Sequence, residues 1–189
     1  MQSLKVLSVT LLCFLVAEAQ VIHLGKCPDP PVQQNFDVVK YLGRWYEIQK
    51  LPNVFQSGTC GQATYTPGDG EGVVSVLNEE LLSDGTINVA EGTATVVDPS
   101  EPAKLAVTFY PGTPPGNYWV LDTDFDNYAL VYGCKNAGPL YADFIWILSR
   151  SRSLPQETVD RLHTTLTSHG IKIDKLMTTP HVGCDSMPE

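Results

Sequence analysis

Tyr141-Ala-Asp-Phe-Ile-Trp-Ile-Leu-Ser-Arg150 is apolar on both faces when read with the two-residue period of a strand. Phe144, Trp146, Leu148 and Arg150 fall on one side, and Ile145 and Ile147 on the other. A sheet with one face in water alternates apolar with polar, so this strand is covered on both sides. The Ile face can receive a helix, which leaves the Phe/Trp face for an interior.

Upstream, the chain repeats the strand signal. Short β-like runs occupy Arg44–Lys50, Thr59–Thr66, Val73–Glu79, Thr86–Val97, Lys104–Tyr110, Asn117–Asp122 and Tyr128–Cys134, with Tyr141–Ser149 the eighth. Asp69-Gly70, Asp84-Gly85, Asp98-Pro99 and the Pro111–Gly116 loop punctuate them, and Asp84-Gly85 predicts a type I′ hairpin. Eight strands joined by short turns with no helix between them make an all-β antiparallel meander, closed as an up-and-down barrel or folded as a sandwich. Downstream, Pro155 and Glu157 open a helix whose Val159, Leu162 and Leu166, with Thr165 at the edge, share one face, and Gly170 stops it. One amphipathic helix after eight strands lies outside the sheet. Ile171–Met177 can add a short ninth strand, and Cys27-Pro-Asp-Pro-Pro reads as an extended arm.

Parity favours a hollow interior. A cysteine that has to meet a tail should point outward, so opposite Cys60 the inner face carries Gly61, Ala63 and Tyr65, and opposite Cys134 it carries Ala129, Val131 and Gly133. Small inner residues leave space, and a barrel of about eight strands can hold one small ligand.

Lys5, the apolar run Val6–Val16 and the small residues Ala17 and Ala19 predict a signal peptide over residues 1–19, with residues 20–189 as one secreted, extracellular domain. The apolar run is short for a bilayer span. The leader carries one residue of each sign, so the net charge stays at −9. This acidity, without a Lys/Arg run, argues against nucleic acid or anionic membrane as the partner. Cys13 leaves with the leader, and Cys27, Cys60, Cys134 and Cys184 remain. An even count in an oxidising compartment reads as two disulfides, for which three pairings are open. The cysteines and the four scattered histidines lack metal-site spacing, and no cofactor is expected. There is no Asn-x-Ser/Thr sequon, so no N-linked sugar is expected.

Gly43-Arg44-Trp45 at the first strand, Thr123-Asp-Phe-Asp-Asn-Tyr128 at a late turn and Arg150 after the last strand resemble, in order and spacing, the signature elements of the lipocalins, with Phe125 where Tyr is common. The resemblance covers the chain after the leader. It implies an eight-stranded up-and-down barrel with the C-terminal α-helix packed outside, and disulfides Cys27–Cys134 and Cys60–Cys184. It also implies a structural floor of Gly43, Trp45, Asp124 and Arg150, and physics gives that floor a task. The guanidinium of Arg150 on the indole of Trp45 is worth about 0.5–2 kcal/mol and closes one end.

Parity and family position together nominate Tyr65, Asn78, Val89, Phe109, Tyr118 and Trp146 as cavity-lining, ligand-binding residues: apolar walls with a few polar groups. The function implied is an extracellular carrier of a small hydrophobic ligand, a fatty acid such as arachidonic acid or a steroid such as progesterone, and not an enzyme. A lipocalin-type isomerase is the alternative; it needs a free cavity cysteine, and Cys60 lies on the corresponding strand but is expected outward and paired. Asp122, Asp124 and Asp126 imitate the start of a calcium loop, but Asn127 holds the glycine position and Gly133 the glutamate position, so Asp124 is read as a turn residue. Action as a protein-interaction or lipoprotein component, through a particle or a cell-surface receptor, would use the open-end loops. The loop Tyr110–Gly116 offers little apolar surface for it.

Overall fold

A computed structural model describes residues 20–188; the expected signal peptide lies outside the described residues. The strands are β1 (Ile22–Leu24), β2 (Gly43–Lys50), β3 (Thr59–Pro67), β4 (Val73–Leu81), β5 (Ile87–Val96), β6 (Lys104–Thr108), β7 (Gly116–Thr123), β8 (Tyr128–Ala137), β9 (Leu140–Ser149) and β10 (Met177–Thr178). The helices are α1 (Val38–Tyr41) and α2 (Gln156–Ser168). Strands β2 to β9 pair antiparallel with their sequence neighbours, and β9 returns to β2 through Tyr46↔Ser149 and Lys50↔Trp146. The sheet therefore closes into an eight-stranded up-and-down barrel, which leaves no free edge between β2 and β9.

The meander reads off the sequence because each strand is a β-rich run cut by a turn residue. At Ser83-Asp84-Gly85 the turn differs in kind from expectation. Gly85 alone there has positive φ (+84°), Leu82 N donates to Thr86 O, and the Asp84 carboxylate accepts from Thr86 N at 2.9 Å. A type I′ turn needs positive φ at both central residues; here the Asp84 carboxylate organises a three-residue loop ending on Gly85.

The ends hold the additions. β1 takes the β9 edge at Leu140–Ala142, where β2 has already left it. The expected ninth strand over 171–177 shortens to Met177–Thr178, paired with β2. Its earlier part instead turns, with Leu176 N donating to Ile173 O, while Ile171 drops into the core. Helix α2 buries Val159, Leu162 and Leu166 in one apolar cluster with Ile145 and Ile147, the outward face of β9. Cys27 is bonded to Cys134, and Cys60 to Cys184. Each bridge closes more than 100 residues (separations 107 and 124), worth roughly 4–5 kcal/mol by chain entropy.

Candidate ligand cavity

The barrel encloses a cavity of about 440 Å³. On β9 the usual order of burial is inverted. The outward Ile145 and Ile147 are 1% and 0% exposed, while the inward Phe144 and Trp146 are only half-buried. Side chains aimed at a filled core would be the drier set, so the interior is hollow.

The closed end is a stack. The Arg150 guanidinium carbon lies 3.7 Å from the Trp45 ring centroid, and Trp45 is fully buried, its Nε1 donating to Tyr41 O at 2.8 Å. Arg150 donates from Nε to Phe125 O, from Nη1 to Arg44 O, and from Nη2 to Lys40 O and Leu42 O, at 2.8–3.0 Å. Lys40 O and Leu42 O end α1, Arg44 O lies in β2 and Phe125 O in the β7–β8 turn, so one cation satisfies carbonyls that the short helix leaves open and ties it to two neighbouring elements. Burial lowers the Arg150 pKa from its ordinary value. Gly43, at φ +94°, leaves room for the guanidinium: a Cβ there would lie 3.3 Å from Nη1. Asp124 accepts from the backbone N–H of Asp126, Asn127 and Tyr128, and so makes the turn beside the floor.

Above Trp45 sit three phenols. Tyr41 packs on Trp45 at 5.1 Å and on Tyr65 at 5.5 Å, and Tyr118 Oη meets Tyr41 Oη and Tyr65 Oη at 2.8 Å each. Burial raises all three pKa values, that of Tyr65 to about 12, so the cluster is neutral across the physiological range.

Higher up, the register Ala63↔Asn78↔Ala90 puts Asn78 on the inner wall. Phe109 lies over Gly92, where a Cβ would come within 2.7 Å of its ring. Trp146 stacks on Phe144 with ring planes 9° apart, and Phe144 on Phe55 from the β2–β3 loop. Tyr65, Asn78, Phe109, Tyr118 and Trp146 thus face one space. Val89 reaches it only at the rim: it is 50% exposed and pairs with Glu79, so the inner position of β5 at this level is Ala90.

Sequence reasoning missed Tyr41 and a polar cluster on the wall. Buried Glu47 takes Lys50 Nζ at 2.9 Å, Thr179 Oγ1 at 2.6 Å and Gln56 Nε2 at 3.1 Å. Gln56 Oε1 then accepts from Trp146 Nε1 at 2.9 Å. Gly61, expected on the inner face, makes room for this carboxylate: a Cβ there would be 3.0 Å from Glu47 Oε1. Glu47 shares the parity of Trp45, which was the available signal. Lys50 follows a β-bulge between Glu47 and Gln49, which breaks the alternation.

Residues 36–181 match the lipocalin-like domain family. The chain is a lipocalin. This lipocalin is 53% identical over 172 residues to mouse (Mus musculus) apolipoprotein D, with 90% of each chain covered. It is 39% identical over 146 residues to the bilin-binding protein of Pieris brassicae, covering 75% of this chain and 76% of that one. Among solved structures it resembles insecticyanin from the tobacco hornworm Manduca sexta, with TM-score 0.74, 32% identity and coverage of 87% and 91%. For this lipocalin the isomerase alternative loses its thiol, because Cys60 is disulfide-bonded. Asp124, engaged by its own turn, is not free for a calcium loop.

Proposed function

We propose that the chain is a secreted carrier that holds one small hydrophobic ligand in the barrel lumen, a fatty acid of the arachidonic type or a steroid of the progesterone type. Residues 1–19 would direct secretion, and the two disulfides suit an oxidising compartment. The observation that carries the reading is the inverted burial of β9, with Phe144 and Trp146 open to an apolar space sealed below by Trp45 and Arg150. The similarity to a protein named for binding a bilin supports it. Tyr65, Asn78, Phe109, Tyr118 and Trp146 would contact the cargo, with Val89 at the rim.

Burying roughly 300 Å² of ligand apolar surface at about 25 cal/mol/Å² contributes about 7.5 kcal/mol before the costs of association, which points to micromolar dissociation constants. Native mass spectrometry of protein secreted from cultured cells should show a co-purified lipid mass. A panel of fatty acids and steroids should displace a lipophilic dye and change the tryptophan emission. No retained mass, together with no displacement by any member of the panel, defeats the carrier reading.

A further inference from the structure

The phenol cluster at the cavity floor can be counted in protons. Tyr41, Tyr65 and Tyr118 bring three hydroxyl protons, and their two mutual contacts of 2.8 Å use two of them. One donor is left uncommitted. Tyr118 touches both partners and is half-buried, whereas Tyr41 and Tyr65 are buried. When Tyr118 accepts from both, its own proton is the one that faces the cavity.

We propose that Tyr118 donates this proton to a neutral oxygen acceptor, such as a ketone or ester carbonyl, on the buried end of the ligand. The proposal rests on the carrier reading above and gives it a polarity. A single phenol O–H suits a carbonyl but does not compensate a carboxylate moved into an apolar cavity. The cation on this side, Arg150, lies beyond the Trp45 indole and is committed to backbone carbonyls. Lys50 is paired with Glu47. A carbonyl-bearing ligand therefore enters carbonyl first, and a fatty acid enters tail first with its carboxylate toward the mouth.

The test compares a rigid ring ketone with its hydrocarbon, androstan-3-one against androstane, by dye displacement, and reads the infrared stretch of the carbon-13-labelled carbonyl when bound. The wild type should favour the ketone about tenfold, the scale of one hydrogen bond, with the stretch shifted down from its value in alkane solvent. Tyr118→Phe removes the cavity-facing hydroxyl, while the Tyr41 and Tyr65 hydroxyls it frees belong to buried residues; it should bind both compounds nearly equally and return the stretch toward the alkane value. Tyr41→Phe, outside the residues assigned to the cargo, keeps two hydroxyls, one contact (Tyr65 to Tyr118) and so one free proton; it should keep the preference and the shifted stretch, which also controls for the loss of a floor phenol. Equal binding of both compounds by the wild type, or a preference and shift that survive in Tyr118→Phe, overturns the assignment and leaves the carrier intact. Failure of either compound to displace the dye, with the lipid panel failing as well, removes the carrier reading and this proposal together.

Discussion

Two tryptophans mark the two ends of the barrel, and their surroundings differ in kind. Trp45 at the floor is fully buried, with its indole N–H on a backbone carbonyl and its face under a guanidinium that is itself held by backbone carbonyls. Trp146 toward the mouth is half-buried, with its N–H on the side chain of Gln56 and its face on Phe144. The loop that carries Gln56 also exposes Val54 and Phe55, at 65% and 52%. The floor is tied to main chain that cannot move without unfolding the barrel. The mouth is tied to a side chain on a loop, where local opening costs less. The same residue type therefore serves folding at one end and binding at the other.

The largest expected effect breaks this comparison most directly. Trp45→Ala should lower stability by about 3–5 kcal/mol, the cost of emptying a packed aromatic site, read as a drop in the urea midpoint at constant slope. Trp146→Ala should cost about 1–2 kcal/mol, because its ring already faces open space, yet it should weaken binding of every panel lipid. Equal stability losses at the two positions would erase the distinction between floor and mouth.

Alkaline pH attacks the floor, and burial also raises Tyr128, Tyr132 and Tyr141 elsewhere on the barrel. Tyr41, Tyr65 and Tyr118 have pKa values raised by burial, that of Tyr65 from 10.0 to about 12. A raised value means that the folded state holds the proton more tightly, so this stability is complete below pH 10 and is lost as pH climbs through the folded values. Tyrosinate absorbance should rise together with unfolding as pH approaches about 12, and Tyr65→Phe should soften that alkaline limb. Ionisation of all the tyrosines near their ordinary value, with the fold intact, would mean that the phenols are in water.

The mouth is probed with Gln56→Ala. Three side-chain hydrogen bonds are lost, with Trp146, Glu47 and Asn53, while Lys50 and Thr179 still hold Glu47. Stability should fall by no more than about 1 kcal/mol. Ligand release, followed by stopped-flow dye exchange, should quicken by up to about tenfold. Unchanged release would mean that the loop does not gate the cavity.

The same contrast explains what the sequence could be made to tell. Period-two parity on Tyr141–Arg150 placed Phe144 and Trp146 inside and the two isoleucines under α2, because register on a closed sheet leaves a strand only two ways to face. The contact of Trp45 with Arg150, far apart in the chain across the closing pair of strands, was legible only through the resemblance. Helix α1 and strand β1 were not legible at all. Four residues capped by Asp37, and three residues pairing with a strand more than 110 positions away, carry no period long enough to detect. Tyr41 belongs to that short helix, so the hydroxyl cluster needed coordinates. Val89 against Ala90 turned on register, which runs of β-formers do not set.

The smallest effect comes from comparing turn carboxylates at the two ends. At the floor, burial raises Asp124, but the bonds from Asn127, Tyr128 and Asp126 outweigh it and hold its carboxyl below the ordinary 3.8. At the mouth, Asp84 is held low chiefly by Thr86, through the hydroxyl and the backbone N–H. A lowered folded value means stability that is present above the ordinary pKa and fades as pH falls through the folded one. Asp124→Asn keeps an acceptor for the backbone N–H groups and removes the charge, so it should cost about a few tenths of a kcal/mol at neutral pH after screening. At about pH 3 the variant and the wild type should converge. Asp84→Asn should show a smaller gap at neutral pH, since fewer groups converge on it and its turn lies in water. Urea midpoints for both variants at the two pH values check this, and a larger gap for Asp84 would place the more strongly organised turn at the mouth instead of the floor.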